Sequence, residues 1–171
     1  MIRITSGKYR GRNIESPNSK LTHPMGAREK LALFNMIAGE LNGARVLDAY
    51  AGSGALGIEA LSRGAKEVVF VEKDVKTCRI IRDNLAKLGV SSEVICSNVV
   101  DFTTSDLFDV IIADPPYDRF SEAEITPLID LLKQGGTLVL SHPDMAPDIP
   151  GLTLKSSKKY ANAHISVYVK R

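Results

Sequence analysis

Four consecutive residues, Asp114-Pro115-Pro116-Tyr117, carry groups that could act together on an amino group. The two prolines lack backbone donors and have a fixed φ, which gives a stiff turn whose carbonyl oxygens stay free. The Asp114 carboxylate and the Pro115 carbonyl are therefore two acceptors that match the N–H groups of an –NH2 group. The ring of Tyr117 offers a stacking face to a base. We interpret all four residues as catalytic.

Such a turn could promote transfer of a carbon group to nitrogen mainly by positioning the nitrogen atom. The lone pair of an exocyclic amino group on guanine or adenine is delocalised into the ring. Two hydrogen bonds to the N–H groups can turn this lone pair toward an electrophilic carbon. Orientation of this kind contributes up to about 7–11 kcal/mol in favourable intramolecular reactions. A strong base is not needed, because the proton can leave after the transfer.

A second motif, Gly52-Ser53-Gly54-Ala55-Leu56-Gly57, fits the G-x-G-x-x-G pattern between a predicted strand and a predicted helix. Glycines at this spacing allow a tight turn and close approach of a ligand, and an acid at the end of the next strand, here Glu72, bonds a ribose hydroxyl. The pattern by itself fits either a nicotinamide dinucleotide or S-adenosylmethionine.

The charges near this loop favour S-adenosylmethionine. Asp48 lies four residues before the first glycine, and no Lys or Arg occurs between Val46 and Ser62. A carboxylate attracts a sulfonium and an ammonium, whereas it repels the pyrophosphate of a dinucleotide. The predicted cofactor site combines the loop with nearby strand ends and with Asn98 and Val99 for the adenine. It comprises Asp48, Ala49, Gly52, Ser53, Gly54, Leu56, Gly57, Glu72, Lys73, Asn98, Val99 and Asp114.

The elements that must position these motifs alternate between strands and helices. Strands are predicted over residues 45–50, 67–71, 92–96, 108–114 and 137–141, and helices over residues 28–41, 53–63, 75–88 and 122–132. This alternation predicts an α/β fold with a doubly wound, mostly parallel sheet of the Rossmann-like class I methyltransferase type. Ligands bind beyond the carboxyl ends of such strands, so Asp48 and the Asp114 turn should face each other.

The two ends of the chain predict antiparallel hairpins. Residues 152–155 and 165–169 alternate in polarity with no helix between them, so they complete a seven-stranded sheet as a C-terminal hairpin. Residues 2–14 contain a Ser6-Gly7 turn and predict a small basic hairpin. We expect one methyltransferase domain over residues 1–171, with residues 1–25 as the N-terminal appendage and 26–171 as the catalytic core.

Charge is divided unevenly along the chain. Residues 1–30 contain seven Lys and Arg against two acidic residues, and residues 151–171 contain five against none. The residues between them contain ten Lys and Arg against eighteen acidic residues. Basic ends around an acidic middle are consistent with a polyanion bound at the periphery and a cationic ligand held centrally, although solvated terminal strands would give the same pattern.

Composition limits the class of protein. Of the 171 residues, 44% are hydrophobic and 25% charged, and no apolar run approaches the roughly 20 residues that span a bilayer. The start of the chain lacks the apolar core of a signal peptide. Cys78 and Cys96 lack metal-ligand spacing and are interpreted as buried small hydrophobes rather than a disulfide. We expect a cytoplasmic monomer that needs neither a membrane nor a metal.

Several stretches together resemble the bacterial RsmD family. They are the basic opening Ile2-Arg3-Ile4-Thr5-Ser6-Gly7-Lys8-Tyr9-Arg10-Gly11-Arg12, Leu33-Phe34-Asn35, the loop and helix from Asp48 to Ala65, and Asp114-Pro115-Pro116-Tyr117. Residues 23–27 depart from the family pattern. The resemblance implies transfer of a methyl group from S-adenosylmethionine to N2 of a guanine in small-subunit (16S) ribosomal RNA, free or in an assembling subunit. It also implies RNA contacts by Arg3, Lys8, Arg10, Arg12 and Arg28.

Other functions remain open at this point. Similar Asp/Asn-Pro-Pro-Tyr turns serve adenine-N6 and protein-amide methyltransferases, and these differ from the leading interpretation in the group that accepts the methyl. A non-catalytic protein that binds the cofactor or RNA is a further alternative, but paired acceptors would have no use in it. A nicotinamide oxidoreductase is the most distant alternative, and binding of NAD in place of S-adenosylmethionine would identify it.

Overall fold

A computed structural model of the chain describes residues 1–18, 25–161 and 163–171. Two residues of the segment that departs from the family pattern, His23 and Pro24, lie outside these ranges. At the N-terminus, β1 (Ile2–Arg3) pairs with β2 (Asn13–Ile14) in antiparallel orientation. The predicted basic N-terminal hairpin is therefore confirmed.

Seven further strands form one mixed sheet. They are β3 (Arg45–Asp48), β4 (Glu67–Glu72), β5 (Glu93–Cys96), β6 (Phe108–Ala113), β7 (Leu132–His142), β8 (Leu152–Tyr160) and β9 (Ala163–Lys170). Their order is β5-β4-β3-β6-β7-β9-β8, in which β3 to β7 are parallel and β9 and β8 run antiparallel. This confirms the predicted α/β fold with a C-terminal antiparallel hairpin.

The helices are α1 (Ala27–Met36), α2 (Ala55–Ser62), α3 (Val75–Leu88) and α4 (Glu122–Asp130). The bounds of α3 match the prediction because both ends are capped. Asp74 accepts from the Thr77 amide at the start, and Gly89 adopts a left-handed conformation, φ 70°, at the end. Helix α1 ends earlier than predicted, because Ile37 leaves the helical conformation and a 3-10 turn follows over Ala38–Glu40.

Strand β7 begins five residues before its predicted start. Phe108 pairs with Leu132 and Val110 with Thr137, so four residues of β7 lie opposite a single residue of β6. The extra residues form a bulge that contains Gly135, whose φ is 73°. Gly135 and Gly136 therefore lie within β7.

Cys78, on α3, and Cys96, at the end of β5, form a disulfide in the structure, with Cα atoms 6.2 Å apart. The prediction of unpaired cysteines is wrong. The two residues are 18 positions apart in sequence, and only the packing of α3 against β5 brings them together.

Helices cover both faces of the sheet. One buried cluster contains apolar residues of α1, α2 and α3 together with Ile4 and Ile14 of the N-terminal segment. The other lies beneath α4. Among the described residues, no helix combines the length and the apolar character needed to span a lipid bilayer.

Buried Glu59 of α2 holds the N-terminal segment against the core. Its carboxylate accepts from the Thr5 amide and hydroxyl and the Ser6 amide, and it forms ion pairs with Lys30 at 3.2 Å and Arg63 at 3.1 Å. Burial alone raises the pKa of Glu59, but the hydrogen bonds from Thr5, the charge of Lys30 and the hydrogen bond from Arg63 outweigh it and lower that pKa. Every oxygen of this buried carboxylate is thus compensated.

We therefore expect Glu59→Ala to lower the free energy of unfolding by about 3–5 kcal/mol, because the buried Lys30 loses its partner. Urea denaturation measures this loss. The matched control is Glu67→Ala, which removes the half-exposed partner of Arg45 and should cost less than about 1 kcal/mol. Equal losses in the two variants would contradict this role of Glu59.

Candidate active site

A cavity of about 940 Å³ opens at the carboxyl ends of the parallel strands. Its wall is formed by the loop after β3, the end of β4, the residues after β5 and the Asp-Pro-Pro-Tyr turn after β6. Parallel α/β sheets bind ligands at this edge. The volume lies near the upper end of the range for small-molecule sites, about 300–1,000 Å³, so a cofactor and a base fit together.

The glycine-rich loop packs closely against the sheet. Gly54 precedes α2 in a left-handed conformation, φ 81°, which favours glycine. A Cβ added to Gly57 would lie 2.3 Å from the Phe70 ring and 3.0 Å from Asp48 Oδ2, so a larger residue there would displace the helix. These two glycines shape the loop, and the described lining of the cavity includes neither of them.

Glu72 joins the glycine-rich loop to the end of β4 through hydrogen bonds. One oxygen accepts from the Gly52 amide at 2.9 Å and the other accepts from the Asp74 amide at 2.9 Å. Each carboxylate oxygen has a second lone pair, so Glu72 can also accept from hydroxyl groups in the cavity that it lines.

Asp48 lies beneath the loop and is 1% exposed. Its Oδ2 accepts from the Gly57 amide at 2.8 Å, while Oδ1 has no partner among the described residues. Burial, together with the negative charges of Asp114 and Glu72, raises the pKa of Asp48 to about 7. Asp48 is absent from the described lining of the cavity, so its contact with a cofactor stays a prediction.

Asp114 lies half-buried on the cavity wall, and burial raises the pKa of its carboxyl to about 6. Pro115 is buried and Pro116 is exposed. The hydroxyl of Tyr117 bonds the Oγ atom of Ser141, at the end of β7. This bond anchors the tyrosine ring. A hydrogen bond from the same serine hydroxyl lowers the pKa of Asp114 and so offsets part of the rise that burial causes.

Most of the predicted site residues meet at this cavity. The whole predicted catalytic set lines it. So do nine of the twelve predicted cofactor residues: Ala49, Gly52, Ser53, Leu56, Glu72, Lys73, Asn98, Val99 and Asp114. Their contacts with a cofactor remain predictions. In the described part of the chain, no group of three or more His, Cys, Asp or Glu is placed to hold a metal ion.

Sequence reasoning missed other residues of the site. Ser141 lies on a strand outside both motifs, and the Tyr50 hydroxyl donates to Glu124 of α4 at 3.3 Å. Met25, Gly26 and Glu29 line the cavity at the start of α1, as do Ala161 and Ala163 from the β8–β9 turn. No local pattern in the sequence marks these positions, since they reach the cavity only through the sheet order.

The predicted RNA contacts divide into two groups. Arg28 is exposed between Gly26 and Glu29, which line the cavity. The tip of the N-terminal hairpin instead docks at the far end of α2, where the Lys8 amide donates to the Ser62 carbonyl at 2.7 Å. Arg12 donates to the Lys87 carbonyl at 2.6 Å, near the end of α3. Since α2 begins at the cavity and runs away from it for about 12 Å, the hairpin tip lies toward the opposite edge of the sheet.

A mostly parallel sheet in this order, with its cavity at the carboxyl edge, is the fold of the Rossmann-like methyltransferases. The solved structure of yhhF from Escherichia coli superposes with a TM-score of 0.91 at 30% identity, covering 99% of this chain and 98% of that one. The family model described as "Conserved hypothetical protein 95", which represents the RsmD family, matches residues 2–169. The chain therefore belongs to this family.

Curated relatives agree with this membership. The chain is 41% identical over 130 residues to Ribosomal RNA small subunit methyltransferase D of Haemophilus influenzae, covering 72% of this chain and 67% of the relative. It is 30% identical to YlbH of Bacillus subtilis over 99% of this chain and the whole of that protein. The chain is therefore a methyltransferase.

The Tyr117–Ser141 bond makes Ser141 a positioning residue, and we expect Ser141→Ala to lower kcat for methyl transfer between about 10- and 100-fold, because the ring and Asp114 lose their support. Cofactor affinity should stay within about two-fold, and Ser141→Thr, which keeps the hydroxyl, should restore part of the rate. Single-turnover kinetics and calorimetry measure these effects.

Ser166→Ala is the matched control for this variant. Ser166 is equally buried and bonds His142 and Ser157, away from the Asp-Pro-Pro-Tyr turn. Its loss should lower stability but leave kcat unchanged. If the two alanine variants lose the same rate, Ser141 has only a structural role.

Proposed function

We propose that the chain transfers a methyl group from S-adenosylmethionine to the exocyclic N2 amino group of a guanine in small-subunit (16S) ribosomal RNA, in the cytoplasm. The observation that carries this proposal is the meeting of the Asp114-Pro115 acceptors, the glycine-rich loop and Glu72 on one cavity. The similarity to Ribosomal RNA small subunit methyltransferase D of Haemophilus influenzae supports the substrate class.

The residues of the cavity suit S-adenosylmethionine, which would supply a methyl group on a positively charged sulfur. Asp48, Glu72 and Asp114 are close enough for the last two carboxylates to raise the pKa of the first. Such a cluster is stabilised by a cation and destabilised by a pyrophosphate. The glycine-rich loop would hold the amino-acid part, Glu72 the ribose hydroxyls, and Asn98 and Val99 the adenine.

The Asp-Pro-Pro-Tyr turn would act on the base. The Asp114 carboxylate and the Pro115 carbonyl accept from the amino group, and Tyr117, anchored to Ser141, stacks on the ring. These contacts turn the nitrogen lone pair toward the methyl carbon, so positioning supplies most of the rate. The proton then leaves the methylated nitrogen, to solvent or to a carboxylate. A stacked base must first leave its helix, which costs a few kcal/mol.

The exposed side chains of Arg3, Lys8, Arg10 and Arg28 suit the phosphate backbone of the RNA, and Arg12 adds a charge beside them. Phosphate contacts supply affinity and orientation without reading sequence. The shape of the ribosomal RNA around the target would then determine which guanine is methylated.

A labelled methyl donor tests this function directly. Transfer from tritiated S-adenosylmethionine to unmodified 16S RNA, followed by nucleoside analysis, should give N2-methylguanosine. Asp114→Ala should reduce the transfer at least about 100-fold through loss of an acceptor, with cofactor affinity within a few fold. Asp83→Ala, which removes an exposed acid of α3 outside the described lining of the cavity, is the control and should be fully active. If the label instead appears in N6-methyladenosine or in protein, the acceptor is not the N2 amino group of guanine.

The raised pKa values predict an acid-sensitive rate. A carboxyl with a raised pKa remains protonated to higher pH, and a protonated Asp114 loses acceptor strength. The rate should therefore rise with pH between about 6 and 7, the pKa values of Asp114 and Asp48. In Asp114→Asn the part of the rise in rate near pH 6 should disappear. Single-turnover rates from about pH 5 to pH 9 measure this, and matching profiles in both proteins would exclude Asp114 as the titrating group.

A further inference from the structure

The C-terminal hairpin reaches the mouth of the cavity. Strand β9 runs antiparallel to β7 with His142 opposite His164, so the β8–β9 turn lies at the carboxyl edge of the sheet. Ala161 and Ala163 of this turn line the cavity together with Asp114 and Tyr117. Whatever enters the cavity therefore passes beside the end of β8.

That end of β8 is positively charged. Lys158 and Lys159 are exposed on the edge strand, and neither has an ion-pair partner among the residues that the structure describes. Lys158 lies opposite Ile165 and Lys159 opposite His164, so the two side chains project to opposite faces of the strand. No acidic residue occurs from position 151 to the end of the chain, although Lys155 of the same strand pairs with Glu40.

Arg119 adds a third charge on the cavity wall. Its partner is the neighbouring Asp118 at 3.7 Å, and both side chains are about three-quarters exposed. An exposed pair at this distance contributes little, so the guanidinium is available to another anion. The cavity wall therefore carries the guanidinium of Arg119 as well as carboxylates, among them those of Asp114 and Glu72.

The charges at the N-terminal hairpin tip cannot serve the same part of the substrate. Lys8 and Arg10 flank the contact with Ser62 at the far end of α2, about 12 Å along the helix from the cavity. The phosphates on either side of a nucleotide inserted in the cavity must pass the mouth instead. Arg119 lies on the cavity wall, and Lys158 and Lys159 precede the wall residue Ala161 by three and two positions.

We propose that Arg119 on the cavity wall and Lys158 and Lys159, which project from opposite faces of the end of β8, form a surface that binds the RNA phosphates on either side of the target nucleotide. The N-terminal hairpin would then contact a more distant part of the same RNA. This inference depends on the proposed function, since it takes RNA as the substrate. The stacking face of Tyr117 beside the surface favours a nucleic acid over an acidic peptide, which would leave that ring without a partner.

The test compares two double variants with the same change in charge. Lys158→Ala/Lys159→Ala removes the surface, and Lys66→Ala/Lys133→Ala removes two exposed lysines from the amino edge of the sheet. Filter binding to an unmodified 16S RNA transcript over a range of salt concentrations gives affinity and its salt slope. Methyl-transfer kinetics on the same transcript give KM and kcat.

For Lys158→Ala/Lys159→Ala we expect the Kd and KM for the transcript to rise roughly tenfold. The salt slope should fall by about 0.7 for each lysine that contacts a phosphate of a single strand. The kcat and the affinity for S-adenosylmethionine should stay at the wild-type values, because neither lysine touches the reacting groups. The amino-edge variant should match the wild type in all four quantities.

Unchanged RNA affinity and slope in Lys158→Ala/Lys159→Ala would overturn the inference, as would a loss confined to kcat, which would mean that the turn supports the catalytic groups. An equal loss in the amino-edge variant would also overturn it, since net charge alone would then explain the effect. If the wild-type enzyme labels protein rather than RNA, the proposed function fails, and the filter-binding comparison still decides whether this surface binds RNA.

Discussion

The bond from the Gly57 amide to the buried carboxylate of Asp48 holds the glycine-rich loop on the sheet, and the rest of the site depends on it. It requires Gly57, because a Cβ there would meet both the Phe70 ring and Asp48 itself. The second oxygen of Asp48 has no partner among the described residues and burial raises the pKa of this carboxyl to about 7, so a nearby cation would stabilise its ionised form. A single contact thus determines the shape of the loop and the sign of the ligand.

Acidic and basic side chains occupy different regions around the site. Carboxylates converge at the carboxyl edge of the sheet, where the charges of Asp114 and Glu72 add to burial in raising the pKa of Asp48. Basic side chains lie outside them, at the cavity mouth and on the N-terminal hairpin. A cationic methyl donor suits the interior, and a polyanion suits the rim. The two ligands would therefore approach the reacting nitrogen from environments of opposite sign, which reduces binding of either one in the other's place.

Two buried polar networks keep the peripheral parts in place. Glu59 compensates Lys30 and Arg63 and fastens the N-terminal segment through Thr5 and Ser6. At the other side of the cavity, Ser141 fastens Tyr117 to the end of β7. Both networks join segments distant in sequence, so the positions of the basic hairpin and of the stacking ring depend on tertiary packing rather than on their own turns.

The sequence by itself determined the strand and helix order, the ends of α3, the glycine-rich loop and the Asp-Pro-Pro-Tyr turn. Local periodicity, capping residues or a short motif indicates each of these features. Because parallel strands end at one edge of the sheet, the loop and the turn are also expected to lie together. Only the tertiary structure decided the partnership of Ser141 with Tyr117, the pairing of Cys78 with Cys96, and the bulge at Gly135. It also decided that the N-terminal and C-terminal basic segments lie at opposite ends of the sheet. These features depend on strand order and register between residues far apart in the chain, and no local pattern records either.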